Sequence, residues 1–224
     1  MGLKLFLRFK ASFQEGWLLR QMNHTFVTLI PKNLGACNFN HFRSISLCNF
    51  YYKIISKILV LRLRPILSKL IDPSQVAFIP ERWIVENVML AQVMVHTFNH
   101  LKRKKGSLGF KLNFKKAYDS LEWDFILTIL RSIDFDPKFV NLIHQCISTV
   151  KFTLLLNGSK ISTILPSRGL RQGDPLSPYL FILCVDVVAR LINREVARGA
   201  IKGVKLGSRA VAISKLFYGW CDSF

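Results

Sequence analysis

Two segments of this chain carry residue types at spacings that could do chemistry. Asn113-Phe114-Lys115-Lys116-Ala117-Tyr118-Asp119 follows a β-prone run and precedes a helical one. A carboxylate at the end of a strand is a usual metal ligand, because hard divalent cations take anionic oxygen. Here the strand end carries Asn113, and the nearest acid is Asp119. Asp119 could instead cap a helix entered at Ser120-Leu121-Glu122, and spacing alone favours the cap. The second segment is Arg168-Gly169-Leu170-Arg171-Gln172-Gly173-Asp174-Pro175-Leu176-Ser177-Pro178. Its glycines let a ligand approach bare backbone. Arg168 and Arg171 could each match phosphate oxygens with two N–H groups. Gln172 could hydrogen-bond a nucleotide. Two readings stay open for it: a ligand-holding loop, or an ordinary loop running into a well-capped helix.

The elements that must position these segments alternate between helix and strand, which makes the class α+β. Phe26–Ile30 is a short β-prone run stopped by Pro31. Residues 51–63 place Ile54, Ile55, Ile58 and Leu59 at helical spacing, and Pro65 is expected to end or kink that helix. Residues 83–101 read as helix and 108–114 as a strand. Residues 122–132 and 137–148 read as helices, the second opening on Pro137. Residues 151–156 and 160–165 flank Asn157-Gly158, whose tolerance of positive φ suits a tight hairpin turn. Asp174 is expected to cap a helix opening at Pro175 and running to about Ala197. Residues 201–206 and 212–218 are short strand candidates.

The chain has 224 residues, of which 50% are hydrophobic, enough for a core without disulfide staples. That composition excludes a mainly disordered chain. Lys and Arg number 32 against 13 Asp and Glu, a formal charge of +19, so polyanions are the expected partners. Between Glu15 and Asp72 no acid occurs, but eight bases do: Arg20, Lys32, Arg43, Lys53, Lys57, Arg62, Arg64 and Lys69. A solvated face of one sign that long has nothing to relieve its repulsion, which favours nucleic-acid contact.

The five cysteines form no C-x-x-C pair, and the five His show no metal-ligand spacing. An odd count at wide spacing argues against a disulfide framework or zinc site, and for a reducing, intracellular setting in nucleus or cytoplasm. The longest apolar stretch, residues 179–192, is too short to span a membrane and holds Asp186 and Arg190. No membrane partner is expected.

Taken together, several segments resemble a known family. Phe42-Arg43-Ser44-Ile45-Ser46-Leu47-Cys48-Asn49 and Tyr52-Lys53-Ile54-Ile55-Ser56-Lys57-Ile58-Leu59 look like the fingers of reverse transcriptases from LINE-type (non-LTR) retrotransposons, the plant versions above all. Ser74 to Arg82 fits the next block. Lys116-Ala117-Tyr118-Asp119 with Glu122-Trp123 fits the first palm block, and Arg168 to Phe181 matches the second almost word for word. The blocks occur in family order over residues 12–224. The resemblance implies the fingers and part of the palm of a right-hand polymerase, with the thumb absent from this sequence. It divides the chain into a helical lead-in at 1–24, a fingers-like basic region at 25–106 and a partial palm at 107–224. RNA and DNA, as template and primer, are the implied partners.

In this family, palm carboxylates hold two divalent metals, normally Mg²⁺, about 3.5–4 Å apart. Carried over by position, Lys32 and Arg43 would meet the triphosphate of the incoming nucleotide. Tyr118 matches the aromatic gate that excludes a ribose 2′-OH. Gln172 and the Gly173 backbone would line the nucleotide pocket. The departures fall where the chemistry is done. Asn113 stands where the first metal-binding Asp belongs, and Asp119 matches a family Asp that is not a ligand. In the last block Cys221 replaces the first of two Asp, after what looks like a one-residue insertion. Asp222 matches the second Asp and is a weak metal ligand at best. Weakening the metals should cost about a thousandfold in rate or more. Glu81 replaces a usual Gly, and Ser44 a usual Pro.

The resemblance therefore implies a catalytically inactive stretch of such an enzyme that retains nucleic-acid binding, with Mg²⁺ not productively held. Two alternatives remain at this level. One is an active RNA-directed DNA polymerase using two divalent metals. The other is the non-functional product of a decayed element.

Overall fold

The computed structural model describes residues 10, 12–100, 108–110, 112, 114, 116–205 and 212–217. The chain divides into two compact units that interleave along the sequence, one of 1–62 with 115–181 and one of 63–114 with 182–224.

The first unit is built on a four-stranded sheet in the order β2-β1-β3-β4. Strand β1 (His24–Pro31) pairs antiparallel with β2 (Phe42–Cys48) and parallel with β3 (Lys151–Leu156). Strand β3 turns back into β4 (Ser159–Ile164) through Asn157-Gly158, with φ of 49° and 78°. Positive φ at both turn residues matches the right-handed twist of the flanking strands, so this hairpin forms as expected. The parallel β1–β3 pair needs a crossover, and the last two of the four helices between these strands belong to this unit. Helix α3 (Trp123–Ser132) buries Ile126, Leu127, Ile129 and Leu130. Helix α4 (Pro137–Ser148) buries Val140, Leu142, Ile143, Cys146 and Ile147. Asp136 caps α4 by accepting from the Lys138 and Phe139 amides at 2.8 and 3.3 Å, and Pro137 opens it.

Helix α1 (Phe50–Leu70) begins in this unit and continues into the second. The Asn49 side chain caps it by accepting from the Tyr51 amide at 3.0 Å. Tyr52, Ile55, Leu59, Leu63 and Leu67 are fully buried along one stripe. Of the two outcomes expected at Pro65, an end or a kink, the end does not occur: the helix runs five residues further. Proline removes one N–H, but the carbonyl it would have met, on Leu61, belongs to an exposed residue where water can take it. Burial of Leu63 and Leu67 on either side holds the helix together.

In the second unit, α1 ends at a cap made by one side chain. The Arg82 guanidinium donates to the carbonyls of Ser68, Ile71, Asp72 and Gln75 at 2.6–3.2 Å. The Ser68 and Ile71 carbonyls belong to the helix end and those of Asp72 and Gln75 to the turn that follows, and one five-donor fork satisfies all four. Helix α2 (Ile84–His100) uses Asn87 to hold the carbonyls of Ser74 and Phe217, both at 2.7 Å. Helix α5 (Ser177–Ala197) starts in the first unit and supplies buried Asp186, which accepts from the Asp72 amide at 2.8 Å and pairs with Arg190 at 2.6 Å.

Three strand expectations are corrected here. Leu108, Gly109, Phe110, Leu112 and Phe114 form no strand. The candidates at 201–206 and 212–218 reduce, among the described residues, to single bridges: Val204 with Ile213, and Gln75 with Phe217. A β-prone run becomes a strand only when a neighbour takes its backbone groups. None of the described residues of 108–114 takes part in a strand pairing.

Candidate nucleotide-binding site

The Gly-rich segment 168–176 is a strap tied down at both ends. On one side the Gly169 amide donates to the Leu121 carbonyl at 2.7 Å and the Leu170 amide to the Tyr118 carbonyl at 2.8 Å. The Trp123 indole donates to the Gly169 carbonyl at 2.9 Å. On the other side the Ser46 amide donates to the Gln172 carbonyl at 2.9 Å. Both strap glycines are required. Gly169 has φ +90°, and a Cβ there would sit 3.0 Å from the Asp119 carbonyl oxygen. Gly173 has φ +100°, and its Cβ would sit 3.0 Å from the Ser46 carbonyl oxygen. L-residues avoid that backbone region, and these contacts leave no room for a side chain.

Beneath the strap lies a buried polar hub. Arg171 donates from Nη1 to Asn23 Oδ1 at 2.6 Å and Thr25 Oγ1 at 3.2 Å, and from Nη2 to the Cys146 carbonyl at 3.0 Å. Its Nη2 pairs with Asp174 Oδ2 at 2.9 Å, and its guanidinium lies 3.8 Å from the centre of the Tyr52 ring. The Tyr52 hydroxyl donates to Asp174 Oδ2, and Asp174 Oδ1 accepts from the Leu176 amide at 3.0 Å. Burial alone would press Arg171 toward its neutral form. Tyr52 and Asp174 outweigh it, so the guanidinium is held more firmly charged than usual. Burial drives the Tyr52 hydroxyl well above its ordinary value and the Cys146 thiol up to about 12.

Arg171 is therefore spent inside the protein and is not a phosphate contact, unlike the sequence expectation for the two strap arginines. Arg168 is exposed and pairs with Glu122 at 3.0 Å. The Asp174 cap also acts differently from expectation. It closes the turn at Leu176, and α5 begins at Ser177.

A cavity of about 250 Å³ opens between the strap and one face of the sheet. Val27, Ser44, Ser46, Phe152, Leu154 and Ile164 line it from the strands, all sharing one side by two-residue alternation. Gln172, Arg168 and Asp119 line it from the loops. Tyr118 stands beside Asp119 and stacks on Phe181 with ring centres 4.9 Å apart. Lys32 follows β1, exposed, close enough to Asp119 to act on its charge. Arg43 lies opposite Ile30 at the same end of the β1–β2 pair, on the strand face turned away from Ser44 and Ser46. Gly173 packs on Ser46 at the strap's far edge.

Asp119 is not a helix cap. It sits in the turn 116–120, while Glu122 occupies the cap position of α3. Partial burial raises its carboxyl above the ordinary value, against the opposing pull of Lys116 and Lys32. Asn23 and Thr25 anchor the site although no motif marks them, and Ser46 does so from within the block 42–49, where it was not singled out. The alternation of β2 was the available signal for Ser46. None pointed to Asn23.

Asn113, Cys221 and Asp222 lie outside the described residues. Among the described residues no group of three His, Cys, Asp or Glu could hold a metal ion. The donors at the expected positions are an amide oxygen, a thiol and one carboxylate. No helix among the described residues is long and apolar enough to cross a membrane.

Residues 30–209 match the family model described as reverse transcriptase (RNA-dependent DNA polymerase). The chain is 28% identical over 193 residues to the transposon TX1 uncharacterized 149 kDa protein of Xenopus laevis, covering 85% of this chain and 14% of that one. It is 32% identical over 182 residues to the Pol polyprotein from the type-1 retrotransposable element R2 of Nasonia vitripennis, covering 81% of this chain and 17% of that one. It thus spans under a fifth of these relatives' length. Among solved structures, apo telomerase from Candida tropicalis, truncated from its C-terminal domain, matches with a TM-score of 0.49 and 14% identity, over 83% of this chain and 42% of that one.

Proposed function

Because the chain belongs to the reverse transcriptase (RNA-dependent DNA polymerase) family, as do its non-LTR retrotransposon relatives, we propose that it holds nucleic acid and nucleotide without joining nucleotides. In this reading residues 25–106 serve as fingers and 107–224 as part of a palm. Lys32 and Arg43 meet the triphosphate from the end of the β1–β2 pair. Tyr118 and the Gln172-Gly173 backbone border the sugar and base. Asn113, Cys221 and Asp222 replace a full set of metal-binding carboxylates, so divalent metal is not held productively and the primer hydroxyl is not activated.

The observation that carries the binding half is the unpaired charge. Among the described residues no ion pair involves Arg20, Lys53, Lys57, Arg62, Arg64 or Lys69, and all six are exposed. Such cations release counterions when phosphates replace their solvent shell, so affinity should fall steeply with salt. Filter binding of a template–primer duplex across a salt series tests this, and equal retention at low and high salt would contradict it. Primer extension on RNA with Mg²⁺ or Mn²⁺ tests the inactive half. Extension that Asp222→Ala abolishes would establish a working polymerase instead.

A further inference from the structure

A second pocket in the first unit has no part in the strap. It has a volume of about 330 Å³, within the lower range of ligand sites at about 300–1,000 Å³. Phe13, Phe135 and Phe139 supply its aromatic walls, Arg62 and Lys138 its cations, and buried Leu142 its apolar lining. Phe135 and Phe139 stack with centres 5.3 Å apart and planes within 18°. The Arg62 guanidinium lies 4.9 Å from the centre of the Phe13 ring. The three Phe are half-buried, and Arg62 and Lys138 are exposed. No carboxylate among the described residues pairs with either cation. Asp136 also borders the pocket, but its Oδ1 is engaged by the Lys138 and Phe139 amides as the cap of α4.

We propose that this pocket takes an unpaired base of a single-stranded nucleic acid, stacked on the Phe cluster with its phosphate between Arg62 and Lys138. Three aromatic rings alone would make a core or a peptide socket. Two unpaired cations at the rim of such rings match a ligand that joins a flat ring to an anion, as a nucleotide does. An arginine already lying against one ring extends the stack, because guanidinium planes stack on bases and rings alike. The chain's charge of +19 supplies the long-range attraction that brings a polyanion to this surface. The inference rests on the nucleic-acid binding proposed above and adds a place where a single strand is held by its bases.

The test uses the full chain and a short RNA strand carrying one 2-aminopurine, beside the same strand with that base removed. The intact strand should bind about five- to a hundredfold tighter than the abasic one, with the fluorescence quenched by stacking. Phe139→Leu keeps an apolar side chain in the pocket and should remove most of that ratio. Lys138→Glu, at an exposed position, should weaken both strands, and its unfolding midpoint should stay unchanged. A template–primer duplex serves as the second arm. Equal binding of intact and abasic strands, with the duplex still held, overturns this site alone. Failure to hold duplex and single strands alike overturns this site and the proposed function together.

Discussion

Arg171 and Asp174 form an ion pair 2.9 Å apart, with both side chains almost fully buried, inside the turn that carries Gln172 and Gly173. The pair is three residues apart in sequence. It reaches from the strap to Asn23 and Thr25 near the start of β1, to the end of α4 and to Tyr52 in α1. Removing one partner leaves the other charge buried and unmatched. Arg171→Leu and Asp174→Ala should therefore each cost about 3–5 kcal/mol in urea unfolding. Arg171→Lys should not restore stability, because an ammonium cannot span four acceptors held in a fork. A loss below about 1 kcal/mol for both single variants would mean that the hub does not hold the strap.

The strap glycines differ from other glycines in what surrounds them. Gly199 has φ +78° with nothing within 4 Å of a built Cβ, whereas Gly169 has φ +90° and backbone at 3.0 Å. Gly199→Ala should cost only the backbone strain, about 1 kcal/mol. Gly169→Ala should cost about 2–4 kcal/mol, since the crowding adds to the strain. Equal midpoint shifts for the two variants would show that close approach plays no part.

Glu81 carries φ +65°, a left-handed backbone where a side chain is unfavourable. A glycine at this position would carry no such strain. Glu81→Gly should stabilise by about 0.5–1 kcal/mol once the extra freedom of glycine in the unfolded chain is subtracted. Thermal unfolding measures it, and an unchanged or lower midpoint would contradict it.

Asp72 is held down to about 2, although burial opposes this, by hydrogen bonds from Ser74, Asn193 and Lys215. Lys215 lies 3.2 Å away. A depressed carboxylate adds stability above its unfolded value of about 4. That contribution, small because the carboxylate is partly screened by solvent, should fade as the pH falls from about 4 to about 2. Asp72→Asn should be less stable at neutral pH and should lose less over that acid window. Parallel loss in both proteins would assign the acid sensitivity elsewhere.

Features governed by neighbouring residues were legible in the sequence. Asn157-Gly158 specifies its hairpin because both turn angles are local properties. Asp136-Pro137 specifies the start of α4 because a cap reaches only two or three residues. The fate of Arg171 was not legible, because a guanidinium is equally suited to a phosphate or to a buried network. Its use is decided by Asn23, 148 residues away, and its neighbour Asp174 is met by Tyr52, 122 residues away. The helix through Pro65 and the absence of a strand among the described residues of 108–114 were settled the same way. A backbone group takes whatever partner the fold brings to it, and only tertiary structure says whether one arrives.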